Sequence, residues 1–276
     1  MHWLFDPLAY EFMRIALTAG LLLGILCPIV GTYLVVQQMA LLGDVVAHAV
    51  LPGLVIAHFW GLPLILGAFV SGLLSTFLIT WIDEQSRLKG ETAMALMFAS
   101  FFSLGIILLT KLQSRLDLEG LLFGNILSAT RSDVVEIGLI LAGIMVLLKL
   151  FYKELLFLSF DGEGAQAIGL PIRWLNGGLM SAITLAIVAG IKLVGVILVV
   201  ALMVGPAATA YLLVTELHWM MVVGAGFGVL ATIGGLYGSF YWDLPSGPTI
   251  ALTIFVIFGL VLLWSPSQGI LMRKIK

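Results

Sequence analysis

The 276-residue sequence has almost no cysteine and little charge. Its one thiol, Cys27, sits in an apolar run without a partner, which excludes a disulfide framework or a thiolate metal cluster within one chain. Charged residues make up 10%, with 13 Lys and Arg against 15 Asp and Glu. The basic ones form no stripe, so a nucleic-acid partner is not expected. No lysine follows a glycine, whereas a P-loop needs Gly-Lys before Ser or Thr; the chain cannot hydrolyse ATP by that route. Met1 to Glu11 include Asp6 and Glu11 and lack the basic start of a signal peptide, so the first hydrophobic segment is expected to be a retained span.

What the sequence does have is apolar length. It is 61% hydrophobic with a mean hydropathy of +1.17, more apolar surface than one soluble core can hide. Lipid must be the solvent for most of it, since about 20 apolar residues cross the roughly 30 Å hydrocarbon layer. The 31 glycines agree, because small residues let membrane helices approach closely. No soluble domain fits between the runs, so residues 1–276 read as a single all-α, polytopic transmembrane domain.

Hydropathy and breaker residues give nine spans: Phe12 to Val36, Met39 to Phe59, Leu62 to Ile82, Thr92 to Lys111, Val134 to Phe151, Trp174 to Ile191, Leu193 to Thr215, Trp219 to Phe240, and Thr249 to Trp264. Eight is the alternative count, reached if two of them merge or one is re-entrant. Trp60-Gly61-Leu62-Pro63 reads as a turn, and Lys192 divides an apolar stretch of about 40 residues, too long for one span. Arg87 and Lys89, then Lys149, Lys153 and Arg173, then Arg273, Lys274 and Lys276 fall on one side of a nine-span chain, which places the N-terminus outside and the C-terminus in the cytoplasm. The loop from Leu112 to Asp133, with Arg115 and Arg131, then lies outside. Pro28 with Tyr33-Leu34-Val35-Val36 echoes Pro206 with Tyr211-Leu212-Leu213-Val214, a hint of an internal repeat.

An ionisable side chain at mid-membrane costs a few kcal/mol, so its presence needs a reason. Of the fifteen acids only Asp44 falls well inside a span, and of the four histidines only His48 is deep. Four residues apart on a helix, the two share a face. A carboxylate and an imidazole together can replace part of the water shell of a first-row divalent ion. The alternative is an Asp and a His that bond each other or the backbone to fix packing. Pro52 and Gly53 are expected to break this helix beside the pair, and His58 is a weaker candidate ligand. The polar segment 159–171, with Asp161, Gly162, Glu163, Gly164, Ala165, Gln166, Ala167, Ile168 and Gly169, is either a solvated loop or a short surface helix that docks a soluble partner.

Gly43-Asp44-Val45-Val46-Ala47-His48-Ala49-Val50-Leu51-Pro52-Gly53 resembles the signature of the ABC importer permeases for manganese, zinc and iron. Phe123-Gly124-Asn125, Phe160-Asp161 through Gly169-Leu170-Pro171, Val194-Gly195-Val196-Ile197-Leu198 with Gly205-Pro206-Ala207-Ala208-Thr209-Ala210, and Asp243-Leu244-Pro245-Ser246-Gly247-Pro248 resemble the family's other motifs in order. The resemblance, which covers nearly the whole chain, implies a helical bundle of the ABC importer permease type in a bacterial inner membrane. It implies a homodimer, two cytoplasmic ATP-binding subunits and an extracytoplasmic metal-binding protein. By the same resemblance Asp44 and His48 hold the transported metal, and the segment Asp161 to Leu170 is the coupling helix to the ATPase. The likeness is greatest to the manganese branch; some zinc relatives carry a further histidine where this chain has Phe98-Ala99-Ser100, and some relatives have an acid where it has Asn125.

Two other classes stand beside this one. A secondary transporter would use Asp44 and His48 as a proton relay without any ATPase. A membrane metalloenzyme would need about three protein ligands, and the chain offers two deep ones.

Overall fold

The computed structural model describes residues 6–87, 89–112, 120 and 124–264. All regular elements among them are helical. They are α1 (Glu11–Val36), α2 (Leu41–Ala49), α3 (Leu51–Trp60), α4 (Leu64–Gln85), α5 (Gly90–Lys111), α6 (Arg131–Leu150), α7 (Tyr152–Phe160), α8 (Gly162–Ala167), α9 (Ile172–Tyr211), α10 (Leu217–Trp242) and α11 (Ser246–Trp264). Phe123, Arg115, Arg273, Lys274 and Lys276, used in the sequence reading, lie outside the described residues.

Among the described residues seven stretches are long and apolar enough to cross a membrane, with α2 and α3 together forming one, Leu41–Trp60. The pair α6 and α7, bent by 73°, would make an eighth. α7 lies outside the expected spans, because Lys153 and Glu154 interrupt its hydropathy. The expected turn at Trp60 to Pro63 is present: Gly61 caps α3 at φ +67°, the left-handed region that glycine enters without steric cost.

The expected spans Trp174 to Ile191 and Leu193 to Thr215 are joined in α9, whose 40 residues would reach about 60 Å if straight. The break comes at Gly195 (φ 79°, ψ 167°) and not at Lys192. That backbone conformation is essentially restricted to glycine. The chain doubles back there: a Cβ on Gly190 would fall 2.5 Å from a methyl of Val199, although nine residues of straight helix would hold them about 13 Å apart. Before the break, α9 rises along α4, with Arg173 beside Gln85 at the start and Thr184 against Gly72 higher up. After it, α9 descends beside α1, where Gly31 meets the backbone of Met203.

Lys192 serves another purpose. Its Nζ lies 2.9 Å from Oδ1 of Asp133 and 2.8 Å from Oε2 of Glu136, which ties the end of the bundle where α9 reverses to the start of α6. α6 itself starts with a capping box. The Thr130 hydroxyl accepts from the Asp133 N–H at 3.3 Å, and the Asp133 carboxylate accepts from the Thr130 N–H at 3.0 Å. Arg131 pairs with Glu11 at the same end.

α1 is the central column, packed against α6, α9 and α10, with Leu23, Leu26, Val30, Tyr33 and Leu34 fully buried. Lipid tails are as apolar as leucine, so burial alone does not drive such packing; close backbone approach does. Gly24 and Gly228 supply it between α1 and α10, since a Cβ on Gly24 would lie 2.9 Å from the Gly228 carbonyl oxygen.

Candidate functional site

Asp44 occupies the first turn of α2 and His48 its last. The helix start favours a carboxylate, because the partial positive charge of free N–H groups sits there. Although Asp44 is only three residues into its helix, its neighbours put it halfway along the bundle. It opens onto a groove of about 510 Å³ whose far walls are Val200, Val204 and Ala208 of α9 and Ile254 and Phe255 of α11. On the opposite face of α2, Val46 and Val50 pack against Gly72 and Thr184, the latter near the middle of the rising half of α9.

The Asp44 Oδ1 and the His48 Nε2 are 3.6 Å apart. That is beyond the 2.7–3.2 Å of an N–H···O hydrogen bond. It suits two atoms that face one guest: ligands about 2.1 to 2.2 Å from a common ion, at right-angled to tetrahedral geometry, stand about 3 to 3.6 Å apart. The Asp44 side chain is 49% exposed and that of His48 is 19%. The carboxylate thus faces open space while the imidazole is held in the wall.

What holds the imidazole is aromatic. Its ring stands 5.0 Å from that of Phe98 at 83° and 5.5 Å from that of Phe102 at 87°, and the two phenyl rings lie 5.9 Å apart within 5° of parallel. No hydrogen bond to either ring nitrogen of His48 is made among the described residues. Sequence reasoning did not assign this role to Phe98 and Phe102. The only signal was an aromatic pair at i, i+4, common in any apolar helix.

Just beyond the pair along the chain the helix is interrupted at Val50, between α2 and α3. Pro52 has no N–H to give to the carbonyl of His48 four residues back. The next carbonyl, of Ala49, accepts the Ser71 hydroxyl at 2.6 Å, an external donor from α4. Gly53 serves contact and not breakage: a Cβ there would fall 2.0 Å from the Gly67 carbonyl oxygen.

His58 is exposed on α3, ten residues beyond His48 and about 15 Å along the helical rise, so it is not brought to the pair. No group of three or more His, Cys, Asp or Glu that could hold a metal occurs among the described residues. Residues of the 159–171 segment do form a short helix. Gly162, Glu163, Gly164, Ala165, Gln166 and Ala167 make α8, capped by Asp161, whose Oδ1 accepts the Gly164 N–H at 2.8 Å. Gly169 follows at φ +80°, and Phe160 and Ile168 project outward.

The profile of the ABC 3 transport family matches residues 9–265. Over 276 residues the chain is 39% identical to the manganese transport system membrane protein MntC of Halalkalibacterium halodurans, covering 99% of this chain and 94% of that protein. It is 35% identical to a probable iron transport system membrane protein of Haemophilus influenzae, covering 95% and 97%. The structure of PsaBC from Streptococcus pneumoniae in complex with Fab superposes with a TM-score of 0.88 at 36% identity, covering 98% of each chain. With a family match over nearly its whole length and a relative 39% identical across 99% of the chain, the chain belongs to the ABC 3 transport family.

Proposed function

We propose that the chain is the membrane-spanning permease of an ATP-driven importer for a divalent metal ion, manganese in the first instance, and that Asp44 and His48 hold the ion in transit. The observation that carries the reading is the pair itself: two donor atoms of suitable chemistry, 3.6 Å apart, halfway along the bundle and facing an open groove. The ion is cargo, so a site with two protein ligands is an advantage. Water or a second subunit completes the shell, and a weakly held ion can leave. Relatives named for manganese transport support that choice of cargo, and the iron-named relative keeps ferrous iron as the second.

In this reading the reversal at Gly195 makes α9 two crossings, and with α6 the chain crosses nine times, N-terminus outside. The chain works as a homodimer in a bacterial plasma membrane, with the two grooves facing each other. α8 is the cytoplasmic contact for each of two ATP-binding subunits, and an extracytoplasmic binding protein delivers the metal. The capped helix and the outward Phe160 and Ile168 support that contact. The absence of a P-loop in this sequence supports a separate ATPase.

The test is manganese uptake by the assembled importer with Asp44→Ala and His48→Ala. Uptake is expected to fall by about tenfold or more in each, since loss of even a partner that orients a ligand costs roughly 10- to 100-fold. Wild-type uptake in both would end the assignment.

A further inference from the structure

We infer that Phe98 and Phe102 are positioning residues that hold the His48 imidazole ready for the ion. The inference rests on the proposed role of Asp44 and His48 and deepens it. A metal-binding histidine ordinarily gives its second ring N–H to a carboxylate, a carbonyl or water, which fixes its orientation. Among the described residues no carboxylate or carbonyl lies within hydrogen-bond distance of a His48 ring nitrogen. The imidazole stands instead at 83° and 87° to two phenyl rings that are themselves parallel, at 5.0 and 5.5 Å. Perpendicular aromatic contacts at this separation are attractive in their own right. Because the two phenyl planes are parallel, a turn of the imidazole about its Cβ–Cγ bond that spoils one perpendicular contact spoils the other as well.

The bracket is supplied by α5, while both ligands are on α2, so its geometry depends on how the two helices pack. The same span is packed tightly on α5 one turn further on, where a Cβ on Gly105 would fall 2.7 Å from Leu51 at the start of α3. The orientation of His48 is thereby set from outside its own helix. The two rings carry no donor atom, so the bracket adds no third ligand and leaves the ion's remaining positions to other groups.

The experiment uses the complete importer in membrane vesicles and measures the half-saturating manganese concentration and the maximal uptake rate. Phe98→Leu and Phe102→Leu keep apolar volume but remove the ring; Phe98→Tyr and Phe102→Tyr keep the ring. The leucine variants are expected to raise the half-saturating concentration about tenfold, in the range of lost orienting partners, with the maximal rate within about twofold. The tyrosine variants are expected to stay near wild type. A purely structural role would lower the maximal rate and the melting temperature together without moving the half-saturating concentration, and that result overturns the inference. So does wild-type behaviour of both leucine variants while Asp44→Ala abolishes uptake. If Asp44→Ala itself transports normally, the metal pair falls first and the bracket with it.

Discussion

Gly53 and Gly67 meet backbone to backbone: a side chain on either would lie within 2.2 Å of the other's carbonyl oxygen. This contact presses α3 against α4 just beyond the interruption at Val50, and Ser71, one turn further along α4, reaches the Ala49 carbonyl from there. The helix carrying Asp44 and His48 is therefore braced from α4 on one face and from α5 on another.

Gly53→Ala is expected to destabilise the solubilised protein by about 1 to 3 kcal/mol, the usual cost of forcing atoms into a filled contact. Gly143→Ala, inside α6 with nothing within 4 Å, is the control and should be neutral or, through helix propensity, stabilising by up to about 1 kcal/mol. Thermal unfolding in detergent reads the difference, and equal midpoints would show that the two helices can separate without cost.

The reversal in α9 makes its own prediction. Gly195→Ala places a Cβ at φ 79°, ψ 167°, a conformation costing of order 1 to 3 kcal/mol for other residues. Yield and melting temperature should both fall, whereas Gly177→Ala, in open space on the same helix, should leave them unchanged.

Lys192→Met should lower stability by about 1 kcal/mol, a figure kept small because the Lys192 side chain is 45% exposed and solvent screens the pair. Adding Glu136→Gln to it should recover part of the loss by removing a carboxylate left without its cation, while Asp133 is kept because it also caps α6. A double variant less stable than Lys192→Met alone would show that Glu136 is held by another partner.

Asp161→Ala removes the acceptor for the Gly164 N–H and should weaken α8 by about 1 kcal/mol. If α8 is the ATPase contact, co-purification of the ATP-binding subunit falls, and Asp161→Asn, which keeps an acceptor oxygen, restores it.

His58→Ala is expected to leave manganese uptake at the wild-type level, since His58 lies about 15 Å along the rise from His48. A drop comparable with that of His48→Ala would bring His58 back as a ligand.

The sequence revealed most where one residue type has one physical meaning. A carboxylate and an imidazole four apart in an apolar run had to share a helical face, and the structure puts them 3.6 Å apart. The turn at Trp60 to Pro63 followed from Gly and Pro chemistry. Lys192 marked the division of the long apolar stretch to within three residues, but the side chain sits at the end of the rising half while glycine makes the bend. Gly53 was legible only as a helix-breaker, because close approach to Gly67 depends on a partner in another helix. The bracket of Phe98 and Phe102 was hidden for a similar reason. In a helix meant for lipid, aromatic residues that face a ligand and those that face acyl chains have the same hydropathy.

The bend at Gly195 has no linker: one glycine separates two arms of helix. The rising arm starts directly after α8 and the descending arm forms a wall of the Asp44 groove. One helical hairpin, with no loop at its bend, thus joins the end of the molecule that bears α8 to the chamber beside Asp44, and the only residue at which its two arms can change their mutual angle is a glycine.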